Sequence, residues 1–284
     1  MTQAADLASG KGHTDENFPV ASFLIAPEFR EPILAFYRFA RIADDVADNE
    51  HASVHDKLAL LETMRATLAG DSDASPECLR LRDILDDRNL LPEHALDLLE
   101  AFRRDVTKQR YADWADLMDY CRYSAMPVGR FVLDVHGEKR MSWRANDALC
   151  AALQVINHLQ DCAKDFRLLN RVYIPQDMLA AAGITVEELH KPKSSPALLA
   201  VIRGLAQHTQ VLLGEARIFS SQIRSRRLAL EVAVIQRLAE DLVHRLMTRD
   251  PLSDNVHHSK TQAAMLAMAS IPHYAATRLK RLTP

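Results

Sequence analysis

Glycine is scarce in this 284-residue chain, with only eight, and twelve prolines do little to make up the shortfall of turns an all-β protein would need, so helices are the expected scaffold. Excess charge of one sign is also lacking. A formal net charge of -3 leaves no broad basic surface to neutralise a nucleic-acid backbone, and nucleic acid is not an expected partner. The four cysteines, Cys78, Cys121, Cys150 and Cys162, have no CxxC spacing, and Met1 to Asp15 lacks the basic and then apolar regions of a secretory leader. Free thiols in a reducing cytoplasm are expected. Long apolar runs are missing as well: the best, Pro196 to Phe219, is interrupted by Arg203, Gln207, His208, Gln210, Glu215 and Arg217. It is too polar to cross a hydrocarbon core of about 30 Å. The basic segment from Thr277, TRLKRLTP, leaves room for peripheral contact with the inner membrane face. No GxGxxG or GxxxxGK[ST] loop offers a nucleotide cradle and no HExxH helix offers a zinc site. Glu187-x-x-His190 has no second copy on a long helix, which excludes a di-iron bundle.

What is present reads as consecutive helices. Glu28 to Asp48 follows Pro27, Ala52 to Leu68 is stopped by Gly70, and Pro76 and Pro92 stand at first helical positions of runs toward Asp86 and Thr107. Tyr111 to His136 predicts one helix kinked near Ser124 by Pro127, and Ser142 to Phe166 a long run at helical spacing followed by a loop from Asn170 to Pro175. Thr185 and Glu188 form a predicted capping box. Ser195 to Phe219, Gln222 to Thr248 and Lys260 to Arg281 complete the set. The expectation is a mobile tail over residues 1–14 and a single all-α domain over residues 15–284, a helical bundle around a central cavity.

Two stripes of polar residues carry the chemistry. At 100° per residue, Tyr37, Arg41, Asp44 and Asp48 share a sector of roughly 100° on one helix face. Carboxylates four apart repel unless something positive lies between them, and hard oxygens of this kind suit Mg²⁺ completing its shell with phosphate oxygens. Arg41 could hold a phosphate oxygen. Asn157, Asp161 and Asp165 repeat the pattern at i, i+4, i+8, and Gln154 extends it by a turn. A solvated acidic face is the competing reading of either stripe alone. Two such helices together could clamp metal ions on one diphosphate. Lys164 and Arg167 beside the second stripe, and Arg171 in the following loop, supply cations for phosphate, while Asp105 is a candidate polar group at a cavity wall.

The strings AFYRFARIADDVAD, DVTKQRYADWADLMDYCRYSAMPVGR and LQVINHLQDCAKDFRLLNRVYIP resemble, in order and spacing, the squalene and phytoene synthase family of head-to-head prenyl synthases, which is isoprenoid-synthase-like in fold. Glu16 to Ser22 and Tyr120 to Gly129 look most like the bacterial hopanoid-pathway branch that makes hydroxysqualene from presqualene diphosphate. Phytoene synthases more often show Ala-Gly-x-Val-Gly where this chain has Ser124-Ala-Met-Pro-Val-Gly129. The resemblance implies that Asp44, Asp48, Asn157, Asp161 and Asp165 ligate Mg²⁺ bound to diphosphate. It also implies that Tyr37, Arg41, Gln154, Arg171 and Tyr173 line the substrate site, and that Asp105 is a cavity aspartate.

The implied reaction is ionisation of presqualene diphosphate and capture of the cation by water. The alternatives are a squalene or phytoene synthase condensing two prenyl diphosphates such as farnesyl diphosphate, and a helical assembly or scaffold protein that keeps the fold without the chemistry. Handover of a greasy substrate from a neighbouring pathway enzyme remains open alongside membrane contact.

Overall fold

A computed structural model describes residues 25–279. The expected tail over residues 1–14, the Glu16 to Ser22 string and the last five residues lie outside them. Among the described residues the regular elements are all helical. They are α1 (Pro27–Asp48), α2 (Val54–Leu68), α3 (Pro76–Asp87), α4 (Glu93–Thr107), α5 (Trp114–Ser124), α6 (Met126–Val135), α7 (Trp143–Gln160), α8 (Cys162–Leu169), α9 (Gln176–Ala181), α10 (Pro196–Ala216), α11 (Phe219–Gln222), α12 (Arg226–Thr248) and α13 (Lys260–Leu279), with short 3₁₀ turns at Arg140–Ser142 and Val186–His190. No described helix is long and apolar enough to cross a membrane.

The punctuation acts locally as its chemistry dictates. Pro27, Pro76 and Pro196 sit at helix starts, where the missing N–H costs nothing. Ser195 Oγ accepts from the Leu198 amide at 3.2 Å, and Gly70 takes φ +85° just past α2. Four expectations are corrected. Pro92 is the N-cap of α4 rather than its first residue. The run from Tyr111 is two helices, since Ala125 leaves helical geometry (φ -123°) and Pro127 falls in the first turn of α6. The run from Ser142 breaks at Asp161 (φ -103°, ψ 8°). The Thr185 capping box does not form, because the Glu188 carboxylate pairs with Lys191 and the Thr185 side chain makes no cap.

Two compact units are present, one comprising Met1–Gln109 with Arg122–Gly137 and the other Arg110–Cys121 with Glu138–Pro284. In the first, α1 packs against α2, α3, α4 and α6. Its core is built from Phe36, Phe39, Leu61, Met64, Leu81, Leu85, Leu99 and Phe131, with Phe36 stacked on Phe131 at 4.1 Å between centroids. Each such side chain contributes about 1.5–3 kcal/mol by burial. In the second, α7 packs against α10 and α12, and α13 lies on α12. The buried face of α7 is alanine-rich (Ala145, Ala148, Ala151, Ala152), so its helix neighbours can approach closely.

Two buried carboxylates tether loops of the second unit. Glu138 accepts the backbone N–H of Arg224 at 2.9 Å and of Ser225 at 2.8 Å, just ahead of α12, and Asp250 accepts the amide and hydroxyl of Ser194 at 2.8 and 2.6 Å. Replacing Glu138 by Ala strips two amides of a charged acceptor. It should lower stability by about 1–3 kcal/mol, seen as a lower urea midpoint at unchanged m-value. An unmoved midpoint would show that the tether carries no weight.

Candidate active site

The first unit holds a carboxylate cluster around one guanidinium. On α1, Arg41 Nη1 donates to Asp44 Oδ2 at 2.7 Å, and Nη2 donates to Asp45 Oδ1 at 2.8 Å. The turn of the helix sets this fork, because residues three and four ahead lie within reach of residue 41. Asp45 is buried, whereas Asp44 keeps 33% of its side-chain surface open to solvent. Desolvation, joined by the charges of Asp48, Asp105 and Asp45 against the single opposing charge of Arg41, pushes the Asp44 carboxyl up to about 8. Asp105 on α4 is itself buried, and its charge reaches Asp44. A set of oxygens this short of positive charge, with an accessible edge, is what a hard divalent cation relieves. Asp45 was missed as a member of the cluster, although its i, i+4 spacing from Arg41 was the available signal.

The second unit carries the other ladder across a helix break. Asp161 belongs to neither α7 nor α8, yet its amide donates to the Asn157 carbonyl at 3.0 Å and its own carbonyl accepts the Asp165 amide at 2.8 Å. The i, i+4 linkage therefore survives where the dihedrals do not. Imidazoles flank the carboxylates: His257 Nε2 lies 3.7 Å from Asp161 Oδ1, and His158 Nδ1 lies 3.9 Å from Asp165 Oδ2. Gln154 Nε2 and His158 Nε2 are 3.0 Å apart.

His158 also stacks on Tyr173, with ring centroids 3.4 Å apart and planes 11° from parallel. Tyr111 and Tyr120 each lie 5.4 Å from Tyr173 and 5.2 Å from one another. Tyr111, Tyr120 and Tyr173 are buried. This aromatic cluster was not legible in advance, since its members are spread over more than sixty positions.

The loop bearing Arg171 and Tyr173 is held in place by an upstream segment. Asn170 ends α8 in the left-handed region (φ 52°), which an asparagine tolerates. Arg110 grips the Asn170 carbonyl and its Oδ1, Arg110 and Val172 form a parallel β-bridge, and the Gln176 and Asp177 amides donate to the Tyr111 and Ala112 carbonyls. Arg171 is buried, and its amide donates to the Asp165 carbonyl at 3.2 Å. Of the other expected cations, Lys164 is exposed, and Arg167 donates to the carbonyls of Leu189, His190 and Lys191.

The family model described as squalene/phytoene synthase matches residues 11–262. A hydroxysqualene synthase of Rhodopseudomonas palustris is 57% identical over 257 residues, which are 90% of this chain and 88% of the relative. A second, from Zymomonas mobilis, is 57% identical over 269 residues, covering 94% and 91%. Among solved structures, a squalene synthase from Alicyclobacillus acidocaldarius superposes with a TM-score of 0.72 at 32% identity, covering 86% of this chain and 91% of its own.

The crowding around Asp44 makes stability depend on pH. Folded Asp44 keeps its proton up to about pH 8, whereas the unfolded carboxyl releases it near pH 4, so between those limits the fold binds more protons than the unfolded chain. This contribution is therefore complete at low pH and is lost as pH rises through about 8. In metal-free protein the melting temperature of wild type should fall relative to Asp44→Asn over this window. Parallel profiles would mean that the cluster does not press on Asp44.

Proposed function

This chain belongs to the squalene/phytoene synthase family, and from that premise we propose that it converts presqualene diphosphate and water into hydroxysqualene and diphosphate. It is an enzyme. The name its curated relatives carry supports this product. The observation that carries the chemistry is that both acidic ladders are kept, one crowded enough to raise Asp44 and the other maintained by backbone hydrogen bonds through a helix break.

The donor set fits Mg²⁺: Asp44 and Asp48 from one ladder, and Asn157, Asp161 and Asp165 from the other, are all hard oxygen donors, and burial together with neighbouring carboxylates raises the Asp44 carboxyl. When bound, Mg²⁺ would supply the charge that compensates a departing diphosphate. Arg41 orients Asp44 and Asp45 through its two bonds, and Arg171 brings a guanidinium suited to phosphate oxygens. Tyr37, Asp105, Gln154, Lys164 and Tyr173 complete the proposed substrate contacts. In the reaction the carbon–oxygen bond to diphosphate breaks with its electron pair on oxygen. The cyclopropylcarbinyl cation that remains rearranges, and a water oxygen forms the new carbon–oxygen bond as it gives up one proton. Substrate and product are both greasy, so supply and release at a membrane surface or through a neighbouring pathway enzyme form part of the reading.

Turnover of presqualene diphosphate by Asp44→Ala and by Asp161→Ala should fall by about 10² or more in kcat, the size expected when a transition-state electrostatic contact is removed. Their combination should lose little beyond the worse single variant if both ladders serve one leaving group. Near-wild-type turnover in both would overturn the assignment. Product analysis should give hydroxysqualene without NADPH. Squalene formed only with NADPH, or phytoene from two prenyl diphosphates, would move the chain to another branch. No turnover and no Mg²⁺-dependent thermal stabilisation by pyrophosphate would leave a scaffold.

A further inference from the structure

Away from the acidic ladders, one imidazole in the first unit is approached by two carboxylates. His94 is buried, only 3% exposed, and its Nε2 lies 2.9 Å from Asp134 Oδ2 and 3.8 Å from Glu93 Oε1. Glu93 and His94 open α4, and Asp134 stands in the last turn of α6, which packs against α4. The three ligand atoms all lie within 4.8 Å of one another. A ring nitrogen carries at most one proton, so the Asp134 contact is one hydrogen bond, and the Glu93 carboxylate stands outside hydrogen-bond range of the same atom. Two carboxylates turned toward one nitrogen repel each other unless a positive charge stands among them.

We propose that Glu93, His94 and Asp134 form a site for a divalent cation of the zinc type, with water completing its shell, separate from the Mg²⁺ proposed for the acidic ladders. The donors choose the metal. One imidazole nitrogen beside two carboxylate oxygens suits Zn²⁺, whereas Mg²⁺ prefers an all-oxygen shell. Around a tetrahedral ion with bonds of about 2.0 Å, neighbouring ligand atoms stand about 3.3 Å apart. The 2.9 and 3.8 Å found here bracket that value, so small side-chain adjustments seat the ion. Burial fixes the imidazole, while Glu93 and Asp134 keep 44% and 23% of their side-chain surface open, which leaves a way in from solvent. The carbonyl end of α6 favours a cation beside Asp134, and the amide end of α4 steadies the Glu93 carboxylate. Asp97, one turn along α4, lies within electrostatic reach of His94; burial pushes its carboxyl up, with His94, Arg130 and Arg122 opposing. Such an ion would pin the start of α4, the helix that carries Asp105, to the end of α6 across 40 positions. The inference stands on this cluster and not on the assigned reaction.

The test is titration of the full-length protein with Zn²⁺, and with Co²⁺ as its spectroscopic stand-in, in excess Mg²⁺ so that the acidic ladders are filled. One equivalent of Co²⁺ should give the intense visible bands of a four-coordinate, nitrogen-ligated site. Zn²⁺ at a hundredfold excess over its Kd should raise the melting temperature by about 5 °C or more. Glu93→Gln and Asp134→Asn should keep wild-type circular dichroism and each weaken binding about tenfold or more, and His94→Gln about a hundredfold. Should His94→Gln not fold, the two carboxylate variants decide. Asp44→Ala combined with Asp161→Ala should keep the bands, which separates a failure of this site from a failure of the catalytic assignment. No saturable binding in excess Mg²⁺ would overturn the proposal and leave His94 and Asp134 as a hydrogen bond alone. Bands and affinity unchanged in the carboxylate variants, or bands lost with the Asp44 and Asp161 substitutions, would overturn it as well.

Discussion

Carboxylates resist being gathered. Around Asp44 the chain nevertheless concentrates Asp45, Asp48 and Asp105 with one guanidinium to oppose them, and burial, joined by that imbalance, pushes the Asp44 carboxyl up to about 8. The fold tolerates this because α1 and α4 are anchored elsewhere, by apolar side chains such as Phe36, Phe39, Leu98 and Leu99, each fully or nearly withdrawn from water. Packing thus supports an electrostatic arrangement that would not assemble by itself.

The second ladder is managed differently. Its carboxylates are neighboured by imidazoles, His158 and His257, and one of those imidazoles is also the partner on which Tyr173 stacks. A single ring thus joins the acidic stripe to the aromatic cluster. Affinity for a diphosphate and tolerance of a carbocation call for opposite surroundings, hard oxygens for one and polarisable ring faces for the other. Here His158 of α7 lies against both kinds of group, the Asp165 carboxylate and the Tyr173 ring.

Much of this was legible in the residues. Prolines and capping residues gave most helix starts to within a residue or two, and the 3.6-residue period placed Arg41, Asp44 and Asp48 on one face of α1. Legibility ended where the determinant was not local. Nothing near Asp161 announces a break, since its neighbours Gln160 and Cys162 are ordinary in helices and the backbone bonds on either side persist. Thr185 and Glu188 have the spacing of a capping box, but Lys191 competes for the same carboxylate. Arg167 reads as a free cation until three carbonyls of the Val186–His190 turn and its flank are found around it. The tyrosine and histidine cluster required knowing that Tyr111 and Tyr173 stack, which only the folded chain reveals.

The seam between residues 110–112 and 170–177 has a consequence for how variation would be felt. Arg171 and Tyr173 take their positions from Arg110, Tyr111 and Ala112, some sixty residues earlier, through a guanidinium clamp, one β-bridge and two amide bonds. A change in the upstream strip therefore reaches the loop as a displacement while leaving the helices around it whole. Natural variants there would shift the side chains of the loop in a well-folded protein, and a search confined to the loop itself would overlook their cause.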